Sequence, residues 1–585
     1  MKKIILPILL VLVFNNINAQ NSCETPVRHL IKSNRIAAYV YNDGTLFNDV
    51  DGQGGFRFPY TGEGSPSVMG NAVLWLGGFA FDDLTTAAGA FGNGGRSDFA
   101  PGPLNPETAL PYTDFPCELF NKIWMVTGEE IRDFLDDWND NKNIDENHLS
   151  IFLWPGNGNP HFYIDSLPNT KQGWAPFFDR NHDDIYDPLE GDFPLPEGPY
   201  DVTNFIPSEL TWTVFHDNTS HVLSVGLPIK MEVQQTVWTR HCENQPEIAN
   251  TVFVDYKLIN RNVEDISEFH AGIVADFDIG CSRDDYIGSI PSRNAFYGYN
   301  FRSIDGGCPL DTPPFGNQPP GVSVSFAHTK YGGVLDHFIH FAGSGIEDPP
   351  IGQSSPGSPV EFYRYLTGIW RDGTPLTFGG SGYDPNSNDF TDYAFIGNPN
   401  NEGEWSMLET LAPNFDYRVV GSTGFSKHWQ NFPGSSLTIR PNESVGLSVA
   451  FTCHRDAAYD HITIINKMIN DDLKNLELAY FDETGINGPY CQNFTIEEPN
   501  EEEEEEPAFI AGIYPNPTSD KITIAIPEET IEEVAVFNTA WQLLYMDDEP
   551  VEEIQIVDLD GFAAGLYFVR INVNGTTLFR RVVVN

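Results

Sequence analysis

The chain is 585 residues long with a formal charge of -51, 40% hydrophobic and 13% aromatic residues, 52 glycines and 43 prolines. So negative a surface argues against nucleic acid or an anionic membrane as partner, since both call for cationic docking surfaces. The hydrophobic share excludes wholesale disorder, and the length predicts more than one domain. The first element is a leader. Lys2 and Lys3 precede an apolar run from Ile4 to Phe14, and a polar stretch then ends in Ala19 and Gln20. The run is too short to cross a bilayer, so residues 1–19 are expected to be a secretory signal cleaved between Ala19 and Gln20. No later stretch reaches the length of a membrane span, and a mature chain without a transmembrane segment is expected. The seven cysteines are widely spaced with no C-x-x-C. Cys281 with Cys308 closes the shortest candidate loop, and the odd count leaves at least one thiol unpaired.

Residues 20–495 read as a β-rich body with room for two subdomains. "NDGTLFNDVDGQGG" (42–55), with Asn48, Asp49, Asp51 and Gly52, is a weak calcium candidate. "GEEIRDFLDDWND" sets Ile131, Phe134, Leu135 and Trp138 at i, i+3, i+4 and i+7, which predicts an amphipathic helix. "DRNHDDIYDPLEGD" (179–192) fits D-x-[DN]-x-[DN]-G-x5-E, with Asp179, Asn181, Asp183, the Ile185 carbonyl, Asp187 and Glu190 at ligand positions. Hard oxygens at odd positions of a tight turn converge on one point, so Ca2+ is the expected cofactor, in a structural role. Asp184 stands where the usual glycine would, and Pro176, Pro188 and Pro194 exclude long flanking helices. A plain acidic surface loop is the alternative.

Further along, "ELTWTVF" (209–215), "KMEVQQTVWT" (230–239) and "TVFVDYKLIN" (251–260) alternate as strands, the last with Val252, Val254, Tyr256 and Leu258 on one face. In "ADFDIGCSRDDYIG", Asp276 and Asp278 leave a strand end on one side, and Asp284 and Asp285 follow a short turn. These four are a second, weaker metal candidate; a glycosidase-like carboxylate pair and turn capping are the other readings. Trp75, Trp154, Trp174, Trp212, Trp238, Trp370, Trp405 and Trp429 lie among Gly, Asn and Asp, a setting shared by sugar platforms and by buried aromatic plugs. H-E-x-x-H, G-x-S-x-G and a phosphate-binding glycine loop are all absent. Ser426 with His428, and Cys453 with His454, do not make dyads, because near neighbours on an extended chain cannot converge. "HITIINKMINDDLKNLELAY" predicts a second covering helix through Ile462, Ile465, Ile469, Leu473 and Leu476.

The stretch 496–508 opens with "IEEPNEEEEEEP", a self-repelling acidic linker. Residues 509–585 then read as a small β-sandwich of six or seven strands: "DKITIAIP" with Ile522, Ile524 and Ile526, "EEVAVFN" with Val534 and Val536, "EIQIVDL", and a final pair joined at Asn574-Gly575. "YPNPTSDKITI", "FNTAWQLL" and "GLYFVRINVNGTTLFRRVVV" resemble the type A C-terminal sorting domain of Bacteroidetes type IX secretion cargo. Tyr514, Pro515, Asn516 and Pro517, with Gly565, Leu566 and Tyr567, stand at that family's spacing. The departures are a missing glycine near Trp541 and Arg580-Arg581 where a lysine is common. The resemblance implies recognition by the outer-membrane translocon, removal of the domain, and in many cases attachment to surface lipopolysaccharide. "AVLWLGGF", "IFLWPGNGNP", "APFFDRNHDDIYDPLEGDFP" and "LTGIWRDGTPLTFGGSGY" are similar to stretches of large exported Bacteroidetes proteins of no established activity.

The expected fold is therefore mainly β: a multi-strand sandwich-like body with long loops and a few covering helices, plus a small C-terminal sandwich. The expected function is that of a secreted or cell-surface protein, passing the periplasm and outer membrane, that serves as a calcium-stabilised binding or structural module. An extracellular hydrolase or lyase acting on polysaccharide or protein is the rival reading, and an adhesin the third. Lipopolysaccharide or other glycan is the partner expected beyond the translocon.

Overall fold

The computed structural model describes residues 26–481 and 512–584, except 34, 50–53, 63, 91–96, 112–118, 163–169, 197–205, 243–244, 282, 307–312, 328–332, 343–349, 411–415, 425–436, 515–517, 519, 539–542, 548–550, 560 and 574–575. The expected leader with its Ala19–Gln20 cleavage point, the linker 496–508, Pro515 to Pro517 and the Asn574-Gly575 turn lie outside the described residues.

Among the described residues, period-two runs build two main antiparallel sheets in the body, beside a four-stranded one (Arg28–Ser33, Ile36–Tyr41, Phe56–Arg57 and Ser67–Met69) and two two-stranded pairs. The larger has nine strands, in spatial order Asp285–Ile290, Ala295–Asn300, Gly321–Ala327, Ser444–His454, Thr251–Asn260, Met231–Thr239 and Glu209–His216, with Ala100–Pro101 and Trp124–Thr127 both paired to the last. The smaller has five: His337–Ala342, Tyr417–Thr423, Ser267–Asp276, Asn71–Ala80 and Asp83–Ala88. Their inner faces interlock into a sandwich. Phe296 of the larger sheet stacks on Phe338 of the smaller at 5.2 Å, and one buried apolar cluster runs through both. In Thr251–Asn260 the predicted face is buried, while Asp255 and Lys257 opposite it are half-buried. Glu209–His216 and Met231–Thr239 depart from the expected half-exposed pattern and are buried on both faces. Loops cover their polar sides: Thr213 Oγ1 donates to the Lys122 carbonyl and Gln234 Nε2 to the Gly173 carbonyl.

Helices close the two outer faces. Pro359–Leu366 lies on the smaller sheet, with Phe362 against Trp75 at 4.6 Å and Ser422 Oγ donating to the Leu366 carbonyl. On the larger sheet lie Ile464–Lys467, the π-helical turn Met468–Asp472, and Leu473–Phe481. Ile465, Leu473 and Leu476 are buried as predicted, but Ile462 and Ile469 are only half-buried and Met468 takes the inward place. Ile462 lies before the helix begins at Ile464, and the wider π turn from Met468 lets Met468 take the place of Ile469 and turns Asp472 toward the sheet. Gly128–Asn141 forms as predicted and buries Ile131, Phe134, Leu135 and Trp138. Thr127 and Glu130 cap it reciprocally, each side chain taking the other's backbone N–H.

The tail is a six-stranded sheet folded on its own core of Ile522, Ile524, Ile526, Val534, Val536, Val569 and Ile571. Two of the predicted strands are one here. Lys521–Asn538 stays extended for 18 residues, pairing Gly512–Tyr514 and Val551–Asp558 through its first half. Its second half pairs Leu543–Asp547 and Gly565–Val573, and Thr576–Val584 lies beyond the latter. Cys242 and Cys281 are disulfide-bonded and Cys453 is a buried free thiol; Cys308 falls outside the described residues. Among the described residues no helix is long and apolar enough to cross a membrane.

Candidate metal centre and secretion tail

The 179–192 stretch is a turn, exposed at residues 181–184, whose acidic side chains take backbone N–H groups. Asp179 accepts from His182 N at 2.7 Å and Asp184 N at 2.8 Å, and Asp183 accepts from Ile185 N at 2.8 Å. Asn181 accepts from Asp183 N at 3.2 Å and donates to Glu190. Asp187 caps the short turn Pro188–Glu190, taking Leu189 N at 3.0 Å, with His161 Nε2 also at 3.0 Å. Asp184 holds φ at 62° and His182 at 60°, the left-handed geometry the loop needs without its glycine. The loop hangs from a residue the motif did not flag. Asp192 is wholly buried and accepts Arg180 N and Asp187 N, both at 2.9 Å. Burial pushes its carboxyl up to about 8, with Asp179 and Asp187 adding to the effect. The earlier candidate Asp49 is ion-paired to Arg28 at 3.0 Å and Arg57 at 2.7 Å.

A tighter group forms where the two body sheets exchange chain. Ligand atoms of Asp276, Asp278 and Asp416 all lie within 4.8 Å of one another. Asp276 ends the strand Ser267–Asp276 and sits directly across from Arg418 on one side and Asn71 on the other. Arg418 reaches Asp276 Oδ2 at 2.9 Å and Asp416 Oδ2 at 3.2 Å. Asp276 Oδ1 is buried and takes no hydrogen bond, and neither does the buried Nδ2 of Asn71. Asp278 packs so closely that a Cβ on Gly70 would stand 2.1 Å from its Oδ2.

Asp285 opens the next strand and accepts Ile279 N at 2.8 Å through Oδ2, while its Oδ1 is buried without a hydrogen bond. Burial holds it well above the usual carboxylate range, and Asp278, Asp284 and Asp305 push the same way. The four predicted aspartates thus meet in one neighbourhood, joined by Asp416, which sequence reading missed.

Two carboxylates at such a spacing repel by about 3.5 kcal/mol at an effective dielectric of about 20. One guanidinium among three carboxylates offsets only part of that. Burial raises the Asp276 carboxyl, Arg418 pulls it down, and Asp416 beside it raises it again, leaving it above its ordinary value. Repulsion of this kind favours the protonated form of Asp276. A second acidic group, Asp137, Asp140 and Asp145, differs in kind. There Asp137 takes Asp145 N and Glu146 N and lies 2.9 Å from His148 Nε2, so it clasps a loop.

Sequence reading also missed a linear Ser–His–Asp arrangement. Ser323 Oγ lies 2.8 Å from His454 Nε2, and His454 Nδ1 lies 2.7 Å from Asp472 Oδ2. Lys467 pairs with the other Asp472 oxygen. All three members are buried between the larger sheet and the helical cover, Ser323 at 0% exposure. Burial raises the Asp472 carboxyl, and hydrogen bonds from His454 and Lys467 outweigh it and bring the group below its ordinary value. The spacing is that of a hydrolase relay, yet no substrate reaches a wholly buried hydroxyl. The tryptophans tell a similar story. Trp75, Trp154, Trp174, Trp212, Trp238, Trp370 and Trp405 are all buried, so none offers a ring face to a sugar, and Trp429 lies outside the described residues.

In the tail, Gly512–Tyr514 ends at the predicted Tyr514, and Gly565, Leu566 and Tyr567 open a central strand. Tyr567 is buried and its hydroxyl donates to the Ala563 carbonyl at 2.7 Å. Residues 512–585 match the family described as secretion system C-terminal sorting domain. The chain is cargo of the type IX secretion system. The sorting domain indicates export to the cell surface or into the medium.

Beyond the sorting domain the likenesses are slight. Ulvan lyase NLR42 of Nonlabens ulvanivorans is 32% identical over 75 residues, which is 13% of this chain. The chain covers 14% of that enzyme's length, a span the size of the sorting domain. Among solved structures, the polysaccharide lyase BACCELL_00875 aligns at TM-score 0.17 and 9% identity, covering 60% of this chain and 34% of that one. The dimeric latent PorU of Porphyromonas gingivalis aligns at TM-score 0.12 and 11% identity, covering 61% and 32%. Scores this low establish no shared fold.

Proposed function

We propose that the exported body is an extracellular binding or structural module held in shape by a divalent cation. The observation that carries this reading is the Asp276–Asp278–Asp416 group. It lies at the junction of the two sheets, where a cation would fix strand ends to one another, and its side chains are three carboxylates with a guanidinium beside them, with no Ser, Cys or His among them. The sealed Ser323–His454–Asp472 arrangement supports the same side, since its hydroxyl has no route to a substrate. The ligand class expected is glycan, lipopolysaccharide included, at the surface to which the sorting domain delivers the chain.

The rival reading, a hydrolase or lyase on polysaccharide or protein, parts from this one in a single assay. The purified full chain is passed over immobilised neutral and acidic glycans and lipopolysaccharide, and the same glycans and a protein substrate are incubated with it in solution. Retention without release of reducing ends, unsaturated products or peptides is expected. Sustained product formation that scales with enzyme concentration and falls with Asp278→Asn overturns the proposal.

A further inference from the structure

The geometry points to a calcium site formed by Asp276, Asp278 and Asp416 with the amide oxygen of Asn71, closed on one side by Arg418. This rests on the cation-stabilised reading above and deepens it by naming the ion and a fourth ligand, Asn71, away from the 179–192 turn. The carboxylate group alone does not carry the inference. Two further observations do. Asn71 is 3% exposed, stands on the same sheet face as Asp276 directly across the ladder, and has a side-chain amide with no hydrogen-bond partner for its Nδ2. Asp276 is 6% exposed and keeps Oδ1 without a donor although Arg418 holds Oδ2. A buried amide nitrogen and a buried carboxylate oxygen left unpaired at facing positions of the ladder, on the same sheet face, are costly unless something meets them. The two ends of an amide are distinguished only by their partners, so turning Asn71 over brings its oxygen where the nitrogen lacks an acceptor.

Donor chemistry selects the ion. Every donor is a hard oxygen, with no His or Cys in the group, which disfavours zinc and copper. The ligands come from three separate segments with a guanidinium beside them, an irregular frame that suits calcium's flexible coordination of about six to eight oxygens better than magnesium's strict octahedron. Water would complete the shell on the side of Asp416, which is more exposed than Asp276. Gly70 is part of the design: any side chain there would displace Asp278 from the centre. In the 179–192 turn, by contrast, the carboxylates already accept backbone N–H groups and no three of them converge.

The test uses the full chain stripped with chelator and then titrated with CaCl2, in calorimetry and in thermal melts, beside Asp278→Asn, Asp416→Asn and Asp179→Asn. Calcium is expected to raise the wild-type midpoint by a few degrees at saturating concentration, and Asp278→Asn and Asp416→Asn to weaken binding at least ~10-fold. Asp179→Asn is expected to bind as wild type does. In chelator, Asp416→Asn should melt no lower than wild type, because it removes a repelling charge; that control separates lost binding from lost folding. A calcium shift that persists in Asp278→Asn and Asp416→Asn but vanishes in Asp179→Asn overturns this site and leaves the cation-stabilised module standing. No calcium response in the wild type overturns both.

Discussion

His454 shows how much one position depends on partners that arrive from elsewhere. Its neighbour Cys453 points to the opposite face of the strand, so the adjacent pair is rightly no dyad. Yet the sheet sets Gly321–Ala327 beside Ser444–His454, which brings Ser323 to one ring nitrogen, and the helical cover brings Asp472 to the other. The consequence at this scale is stability rather than turnover. Ser323→Ala leaves His454 Nε2 buried without its partner and is expected to cost about 1–3 kcal/mol, read from denaturant midpoints. A fluorophosphonate probe is expected to leave the native chain unlabelled. Labelling that Ser323→Ala removes would make Ser323 a reachable nucleophile. Asp276 and Asp278 were legible in the sequence because carboxylates at i and i+2 at a strand end share a side. Asp416 was not, since nothing near residue 276 announces which distant strand will lie alongside it.

Elements were most legible where a local rule and the tertiary environment agree. Gly128–Asn141 carries its apolar stripe, its cap and its burial together. Thr127→Ala removes the side-chain half of the reciprocal cap, leaving the residue-127 backbone N–H on the Glu130 carboxylate, and is expected to destabilise the body by about 1 kcal/mol, measured by chemical denaturation. A change under a few tenths would mean the helix end is held by packing alone. The second covering helix was read correctly as a helix and correctly in phase at Ile465, Leu473 and Leu476, but not at Ile469, because a π turn leaves no signature in apolar spacing until the partner face is known. Strands buried on both faces misled in a different way. Glu209–His216 alternates polar and apolar residues as a half-exposed strand does, but loops from residues 122 and 173 bury its polar side and that of its neighbour. In the tail, alternation located Ile522, Ile524 and Ile526 in the core but could not reveal that the strand runs on to Asn538.

At the scale of the whole molecule, the two sheets of the body are stitched by strands far apart in the chain. The acidic centre lies on those stitches. It needs the start of Asn71–Ala80, the end of Ser267–Asp276, the crossover to Asp285–Ile290 and the approach to Tyr417–Thr423 all in place. Contacts of such long sequence separation close late, after the entropy of joining distant segments has been met by the main pairings. Interactions absent from the folding transition state leave the folding rate alone and slow unfolding. A cation held there therefore acts on the lifetime of the native body rather than on how fast it forms, which is the quantity that matters where proteases are abundant and no chaperone can refold a lost domain. Chelation is expected to raise the unfolding rate in a denaturant jump several-fold while refolding proceeds at its former rate.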